Sequence, residues 1–250
     1  MGIRAVNEPA RPARTLGLLG GMGPAATVDV LNKIIAATPA ARDQDHLPIL
    51  VRCVPQIPDR TEALLGDGLS PREALVQGAR ELRAAGAEVL AIACNTAHHW
   101  YAPIRNAFNA PVLHVADAVV EELLEIGAAG PVGLMATRGT LASGFYQEIL
   151  GKAGYPLLLP TPQEQVELLD LAIAHAKASH WADAHEAAHH AAEKLLARGA
   201  DHVVLACTEL PVALGAMACD PRLLDANTAL AHACVRASLH RNGTPNRLAA

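Results

Sequence analysis

The segment GAEVLAIACNT, residues 86–96, predicts a strand that is buried on both faces and ends near Cys94. Its residues 89–93 are apolar without interruption, as in the parallel strands of α/β proteins. The segment GADHVVLACTE, residues 199–209, repeats the pattern and brings Cys207 to the same place. Small polar residues that can begin a helix follow each cysteine. We therefore expect both thiols at the carboxyl ends of strands, the edge at which open α/β sheets bind ligands.

The spacing of these segments predicts two similar α/β halves. The cysteines are 113 residues apart (94 to 207), and the glycines of two other strand-like segments, Gly17 and Gly133, are 116 residues apart (17 to 133). If the halves face each other about a pseudo-twofold axis, the two thiols approach one cleft from opposite sides. A thiol at a helix amino terminus also meets a positive partial charge, which favours the thiolate.

Strand and helix patterns alternate through both halves. Besides the two cysteine strands, strands are predicted at residues 16–19, 49–54, 112–115, 132–136, 156–159 and 223–225. Pro24 suits the first position of a helix, Ser70 and Glu73 form a capping-box pattern, and Asp117 is a candidate helix cap. Further helices are predicted at 97–108, 163–178 and 181–197.

The predicted domain organisation follows from this alternation. We expect a disordered tail at residues 1–15, a first α/β domain at 16–116, a second α/β domain at 117–225, and a tail at 241–250. A C-terminal helix at 226–240 is expected to join the first domain.

Composition argues against several classes of function. The 250 residues carry a net charge of −5 and only 3% aromatic residues, so the chain has no basic or stacking surface for nucleic acid. No apolar run approaches the roughly 20 residues of a membrane helix. Five cysteines, an odd number without a CxxC pair, indicate a reducing compartment, and we expect a cytoplasmic protein with small-molecule partners. Cys53, Cys219 and Cys234 are expected to be buried small hydrophobic residues.

Two loops are candidates for anion binding. Gly21, Gly23 and Ala26 fit a dinucleotide fingerprint, but the acidic residues about twenty positions on precede the second strand instead of ending it. A tight turn, or a cradle of backbone N–H groups for a substrate carboxylate, explains the glycines better. Arg60 ends a stiff loop and is either a solvated charge or a bidentate carboxylate clamp.

The sequence patterns that would indicate a bound metal or cofactor are weak. His185 and His189 match the HExxH pattern, with Glu209 twenty residues beyond, but they lie in a histidine-rich, alanine-rich helix where a chance match is easy. Cys94 with His98 and His99 lacks further ligands to complete a metal site. No lysine follows a recognisable pyridoxal phosphate motif. We therefore expect neither metal nor cofactor.

The sequence resembles the cofactor-independent aspartate/glutamate racemases, on the aspartate racemase side, over nearly its whole length. The resemblance rests on five motifs in the same order: LLGGMGPAAT at 18–27, RDQDH at 42–46, PQIPDRT at 55–61, CNTAH at 94–98 and CTE at 207–209. It implies two Rossmann-like, flavodoxin-like α/β/α halves with mostly parallel sheets, an active site in the cleft between them, no cofactor, and a homodimer.

The resemblance also implies roles for particular residues. Cys94 and Cys207 would be the acid/base pair, and the expected substrate-binding residues are Met22, Arg60, Asn95, Thr96, Thr140, Lys177, Thr208 and Glu209. Among these, Arg60 and Lys177 would hold the distal carboxylate of aspartate or glutamate. Glu209 replaces the histidine that glutamate racemases place after the second Cys-Thr pair, which argues against the cell-wall glutamate enzyme.

Two thiols suit cofactor-independent racemisation on chemical grounds as well. Inverting an α-carbon requires a base on one face, an acid on the other, and stabilisation of the carbanion between them. A related dicarboxylate isomerase or decarboxylase would often use only one of the cysteines, and a non-catalytic amino-acid sensor would need neither. The choice between aspartate and glutamate stays open at this stage.

Overall fold

The computed structural model describes residues 13–239. The first half comprises β1 (Leu16–Gly20), α1 (Pro24–Ala37), β2 (Ile49–Cys53), α2 (Arg60–Leu65), α3 (Arg72–Ala84), β3 (Val89–Ile92), α4 (Tyr101–Phe108) and α5 (Val115–Glu125). The second comprises β4 (Val132–Ala136), α6 (Arg138–Ser143), α7 (Phe145–Lys152), β5 (Leu157–Leu158), α8 (Pro162–Glu164), α9 (Leu171–Lys177), α10 (Trp181–Ala197), β6 (His202–Ala206), α11 (Leu210–Leu214), β7 (Leu223–Asp225) and α12 (Ala226–Leu239). Short 3₁₀ turns span Asp43–Asp45, Thr96–Trp100 and Gly215–Cys219, and a π-helical stretch spans Gln165–Asp170.

Each half is built on a parallel sheet, as predicted. The strand order is β2-β1-β3 in the first sheet and β5-β4-β6-β7 in the second. Gly17 in β1 pairs with Leu90 in β3, and Gly133 in β4 pairs with Val203 in β6. The two cysteine strands therefore hold equivalent places beside equivalent central strands, which explains the regular spacing in the sequence.

The predicted strand at 112–115 is wrong in extent. The first sheet has only a single bridge there, between Val112 and Leu90, where the second sheet has β7. The strand cannot continue because α5 begins at Val115. The cap of that helix is also not Asp117, which lies in the first turn, but His114, whose Nδ1 accepts from the Ala116 N–H at 3.2 Å.

Two other helix starts differ from the predicted capping pattern. A helix begins at Arg72, but Ser70 and Glu73 form no capping box: Ser70 Oγ accepts from the Arg72 N–H, and Glu73 pairs with the Arg72 guanidinium. The capping box occurs instead at the start of α8, where Thr161 and Glu164 each accept from the other's backbone N–H. Pro24 does stand at the first position of α1.

The last helix of each half packs against the other half. Helix α12 packs against α1 and α5, and α5 packs against α7 as well as α12. One apolar core between the two sheets includes Leu18, Val119, Leu134 and Leu230. Two further cores cover the outer faces of the two sheets. The sheets are therefore joined by a shared core, which holds the groups at their facing edges in fixed relation.

The ends of the described chain are also anchored. The Arg14 N–H donates to the Ser238 carbonyl, and the Thr15 N–H donates to the Glu88 carboxylate. The remainder of the predicted tails, residues 1–12 and 240–250, lies outside the described residues. Within residues 13–239, the helices are too short or too polar to cross a membrane.

Candidate active site

Cys94 and Cys207 lie just beyond the carboxyl ends of β3 and β6 and line the same pocket between the sheets. Both are buried, with 6% and 5% of their surface exposed. The residues that line the pocket are Met22, Asp59, Arg60, Thr61, Cys94, Asn95, Thr96, Thr137, Lys177, Cys207, Thr208 and Glu209. The structure thus brings together every predicted site residue except Thr140, which lies behind the pocket wall.

Glu209 dominates the surroundings of Cys207. The Cys207 thiol donates to Glu209 Oε2 at 3.1 Å, and the Thr208 hydroxyl donates to the same oxygen at 2.9 Å. Burial, followed by the charge of Glu209 and this hydrogen bond, raises the pKa of Cys207 well above its usual value. The expectation that a following helix favours the thiolate is therefore wrong for Cys207. In the structure Cys207 is a protonated thiol that donates a hydrogen bond to Glu209.

Three threonine hydroxyls form a cluster across the two halves. Thr96 Oγ1 lies 3.0 Å from Thr137 Oγ1 and 2.8 Å from Thr140 Oγ1, and the Thr137 hydroxyl donates to Thr140 Oγ1 at 3.0 Å. Thr137 also caps α6 by accepting from the Thr140 N–H. Thr96 and Thr137 face the pocket, whereas Thr140 is fully buried and supports them.

Asn95 is oriented by a residue from the second half. The hydroxyl of Tyr146, which is fully buried, donates to Asn95 Oδ1 at 2.6 Å. Burial raises the pKa of Tyr146 well above its usual value, so the phenol stays protonated and keeps this bond. With Oδ1 held as the acceptor, the Asn95 side chain presents its amide N–H groups as donors.

His98 ties the Cys94 loop to the start of α5. Its Nδ1 lies 2.9 Å from the Cys94 carbonyl and 3.2 Å from the Asn95 carbonyl, and its Nε2 accepts from the Val115 N–H at 3.2 Å. Burial lowers the pKa of His98 to about 4, so the ring is neutral with its proton on Nδ1. Both ring nitrogens are occupied by backbone, which leaves none for a metal beside Cys94.

The two basic residues of the site differ in how they are held. The Arg60 guanidinium donates to the carbonyls of Met22, Ile57 and Pro58 at 3.1–3.3 Å, while its buried Nε has no partner. Lys177 is half exposed and lies 3.5 Å from Asp59 Oδ2. Arg60 is thus a fixed positive charge in the wall, and Lys177 is a more mobile one at the mouth.

Asp59 caps α2 at the edge of the pocket. Its carboxylate accepts from the Thr61 and Glu62 N–H groups at 2.8 and 3.0 Å. Burial alone would raise its pKa, but the Glu62 N–H, the charges of Lys177 and Arg60, and the Thr61 N–H together lower it. Asp59 is therefore ionised and partly neutralises Lys177.

The glycine loop after β1 forms the wall on the Glu209 side. Gly21 has a φ of +98° and lies so close to the Val54 backbone that a Cβ could not fit. Its N–H donates to Thr27 Oγ1 at 2.8 Å, and the Thr27 hydroxyl donates to the Gly23 carbonyl. A Cβ on Gly23 would lie 3.5 Å from Glu209 Oε1. The glycines thus permit a tight turn beside the carboxylate.

Sequence reasoning missed four residues of the site: Asp59, Thr61, Thr137 and Tyr146. Thr137 follows directly on β4, so the sheet-edge rule that selected the cysteines would have found it. Asp59 precedes α2 in the pattern of a helix cap. Tyr146 has no local signal, because its role depends on a contact with the other half.

The HExxH pattern does not form a metal site in the structure. His185 Nδ1 lies 3.2 Å from the Ala213 carbonyl, and Glu209 is held by Cys207 and Thr208, so the HExxH residues and Glu209 do not assemble into a metal site.

The prediction that Cys53 and Cys219 are buried is wrong, because both are exposed near the ends of surface elements. Cys234 is buried in α12 as expected, and burial raises its pKa to about 12.

Comparison with known proteins identifies the class to which this fold and pocket belong. The structure is similar to aspartate racemase from Picrophilus torridus, with a TM-score of 0.80 and 29% identity over 94% of this chain and 98% of that one. The sequence is 26% identical to the broad specificity amino-acid racemase RacX of Bacillus subtilis over 88% of this chain and 96% of that protein. Glutamate racemase from Francisella tularensis, at 18% identity, shares the fold with a TM-score of 0.64 over 88% of this chain and 78% of that one. The class is that of the racemases, which are isomerases.

The family model described as Asp/Glu/Hydantoin racemase matches residues 19–234. The chain belongs to this family.

Proposed function

We propose that the protein interconverts L- and D-aspartate without a cofactor, by proton transfer at the α-carbon between Cys94 and Cys207. The observation that carries this proposal is the placement of two buried thiols on equivalent strands of two sheets, lining one small pocket. The similarity to an aspartate racemase and to a broad-specificity amino-acid racemase supports the reaction class.

In the proposed reaction the two thiols hold opposite protonation states. One thiolate removes the α-proton, and the other thiol donates its proton to the opposite face of the planar carbanion. Because the Cys207 thiol donates to Glu209, we assign it the role of the acid, and Cys94 that of the base. The reverse direction exchanges the roles of the two thiols.

Glu209 governs when Cys207 can become a thiolate. Its negative charge opposes ionisation of the neighbouring thiol. The ammonium group of an amino acid placed beside Glu209 would offset that charge and lower the pKa of Cys207. Substrate binding would thus favour the thiolate of Cys207. Without a substrate ammonium group, Glu209 would keep this thiol protonated.

The polar groups of the wall suit an amino-acid carboxylate and the developing carbanion. Asn95 offers amide N–H groups to the pocket, and the Thr96 hydroxyl lies beside them. Thr137 and Thr208 line the other side, and their hydroxyls would have to turn from Thr140 and Glu209 to donate to a substrate. Such pre-placed donors stabilise negative charge best in a site with little water. Thr140 supports this set from behind instead of contacting the substrate.

The distal carboxylate is assigned to the basic side of the pocket. Arg60 contributes a fixed charge with an unpartnered Nε, and Lys177 can leave Asp59 to meet an anion. Glutamate is the second candidate substrate. It is favoured by the wider vestibule beyond Arg60 and Lys177, which is bordered by Pro55, Trp181 and the glycine loop and gives room for a longer side chain.

Proton NMR of the protein with L-aspartate in deuterated buffer, followed by chiral analysis, tests the proposal. We expect loss of the α-proton signal and formation of D-aspartate, with L-glutamate reacting more slowly. Cys94→Ala and Cys207→Ala should each abolish racemisation, and each should impair α-proton exchange more strongly for one enantiomer. Release of carbon dioxide would indicate a decarboxylase, and binding without exchange in reduced protein would indicate a sensor.

A further inference from the structure

Three side chains that commonly bind metals converge where α9 meets α10, outside the catalytic pocket. The ligand atoms of His175, His180 and Asp183 all lie within 4.8 Å of one another, and His175 Nδ1 is 3.9 Å from Asp183 Oδ2. No other group of three or more histidine, cysteine, aspartate or glutamate side chains within residues 13–239 is gathered in this way. We propose that His175, His180 and Asp183 bind one divalent transition-metal ion.

The backbone between the two helices is already folded into the shape that this site requires. Ser179 takes a φ of +62°, an uncommon conformation for a residue other than glycine, and its N–H donates to the Ala176 carbonyl at 3.1 Å. The His180 N–H then donates to the His175 carbonyl at 2.8 Å. With the turn in this shape, the ligand atoms of both imidazoles lie within 4.8 Å of each other.

The donor set selects the class of metal. Two imidazoles and one carboxylate suit zinc, cobalt or nickel, whereas calcium and magnesium prefer oxygen ligands. His175 is about one-third exposed, and His180 and Asp183 are exposed, so water can complete the coordination shell. Two histidines of α10 have partners elsewhere: His185 contacts the Ala213 carbonyl, and His189 lies 3.4 Å from Glu193.

The segment that carries the three proposed ligands, residues 175–183, also contributes to the vestibule of the catalytic pocket. Ala176, Lys177, Ser179 and Trp181 line that vestibule, and the three proposed ligands do not. An ion held by the ligands would therefore not take part in proton transfer. It would restrict the motion of the turn that carries Lys177 and Trp181. The proposed site would therefore stabilise one side of the vestibule.

Cobalt(II) titration of the untagged, reduced protein tests the site by its visible spectrum. We expect one equivalent to bind with the d–d bands of nitrogen and oxygen ligands and without a thiolate charge-transfer band. His180→Gln and Asp183→Asn should each weaken binding at least about tenfold, since loss of even an outer partner of a metal ligand has effects of this size. His190→Gln, an exposed histidine of α10 outside the group, is the matched control and should bind as the unaltered chain does.

Amide hydrogen exchange of the same samples tests whether the bound ion stabilises the turn. Cobalt should slow amide exchange across residues 178–184 in the unaltered protein and in His190→Gln, but not in His180→Gln. Unchanged cobalt binding in His180→Gln, or a spectrum of thiolate ligation, would overturn the proposed site. Neither readout requires racemase activity, so the site can fail or succeed independently of the proposed reaction.

Discussion

At the level of single residues, the pairing of Cys207 with Glu209 is the most consequential contact in the site. The carboxylate accepts from the thiol, and its charge opposes loss of the thiol proton. In Glu209→Gln the charge disappears while an acceptor oxygen remains. Because a nearby like charge typically shifts a pKa by about 1–3 units, alkylation of Cys207 near pH 8 should be at least about tenfold faster.

Peptide mapping after timed reaction with iodoacetamide measures this rate at Cys207 alone. Glu186→Gln, an exposed carboxylate of α10, is the control and should leave the rate unchanged. An alkylation rate in Glu209→Gln equal to that of the unaltered protein would show that burial alone suppresses the thiolate.

His98 gives a second prediction at the residue level, one of stability against pH. Burial lowers its pKa in the folded protein from about 6.5 to about 4. Its contribution is therefore fully present above pH 6.5 and is lost as the pH falls towards 4, because only the unfolded chain takes up the proton in that range. The shift corresponds to about 3 kcal/mol.

Urea unfolding between pH 7 and pH 4 measures this loss. In His98→Gln, which keeps an amide in place of the ring, the free energy of unfolding should fall less steeply over the same range. An equal slope in both proteins would place the acid sensitivity elsewhere, for example at His114, whose pKa burial and the proximity of His98 lower to about 2.

At the level of secondary-structure elements, the approach of α6 to α2 decides whether the two halves of the site meet. A Cβ on Gly139 would lie 2.8 Å from Thr61 Oγ1 and 3.0 Å from both Thr61 Cα and Thr96 Cγ2. Gly139→Ala should therefore push α6 away from the first half and stretch the threonine cluster. We expect racemase activity to fall about tenfold or more, since small misplacements of catalytic groups have large effects.

The matched control for this change is Gly151→Ala in α7, where an added Cβ meets no atom within 4 Å. That substitution should preserve activity and slightly raise the melting temperature, because alanine favours a helix over glycine. Activity of Gly139→Ala equal to that of the control would show that the halves tolerate a wider separation.

Comparison of sequence and structure shows which elements were predictable. The cysteine strands were found because an uninterrupted apolar run followed by polar residues has one main interpretation, and their repetition implied the two halves. The bond between Tyr146 and Asn95 was not found, because packing between the halves determines it. The strand predicted at 112–115 failed for a local reason, since the apolar pattern could not show that His114 would cap a helix there.

At the level of the whole molecule, a charged network joins the halves behind the catalytic pocket. Lys33 of α1 pairs with Asp29 in its own helix and, at 2.7 Å, with Asp225 at the end of β7. Burial by itself would lower the pKa of Lys33, but the two carboxylates raise it, so the amine stays charged. Asn227 extends the network by donating to Asp29 and to the Thr208 carbonyl, next to Cys207.

Lys33→Met tests whether this network holds the halves together. It removes the charge but keeps a side chain of similar length, and it leaves Asp29 and Asp225 without their cation. Breaking a fully buried pair costs about 3–5 kcal/mol; because the two carboxylates are partly exposed, we expect a loss of about 1–3 kcal/mol in the free energy of unfolding. Lys152→Met, which breaks a solvent-exposed pair with Glu148, should cost much less stability, because solvent screens that pair.

A double-mutant cycle separates the pairing from the packing. If Lys33 acts through Asp225, the combined variant Lys33→Met with Asp225→Asn should be more stable than the sum of the single losses implies, because it leaves one fewer uncompensated charge. Activity adds a second readout, since Asn227 links the network to Thr208. Strict additivity together with unchanged activity would mean that the shared apolar core, and not this network, sets the distance between Cys94 and Cys207.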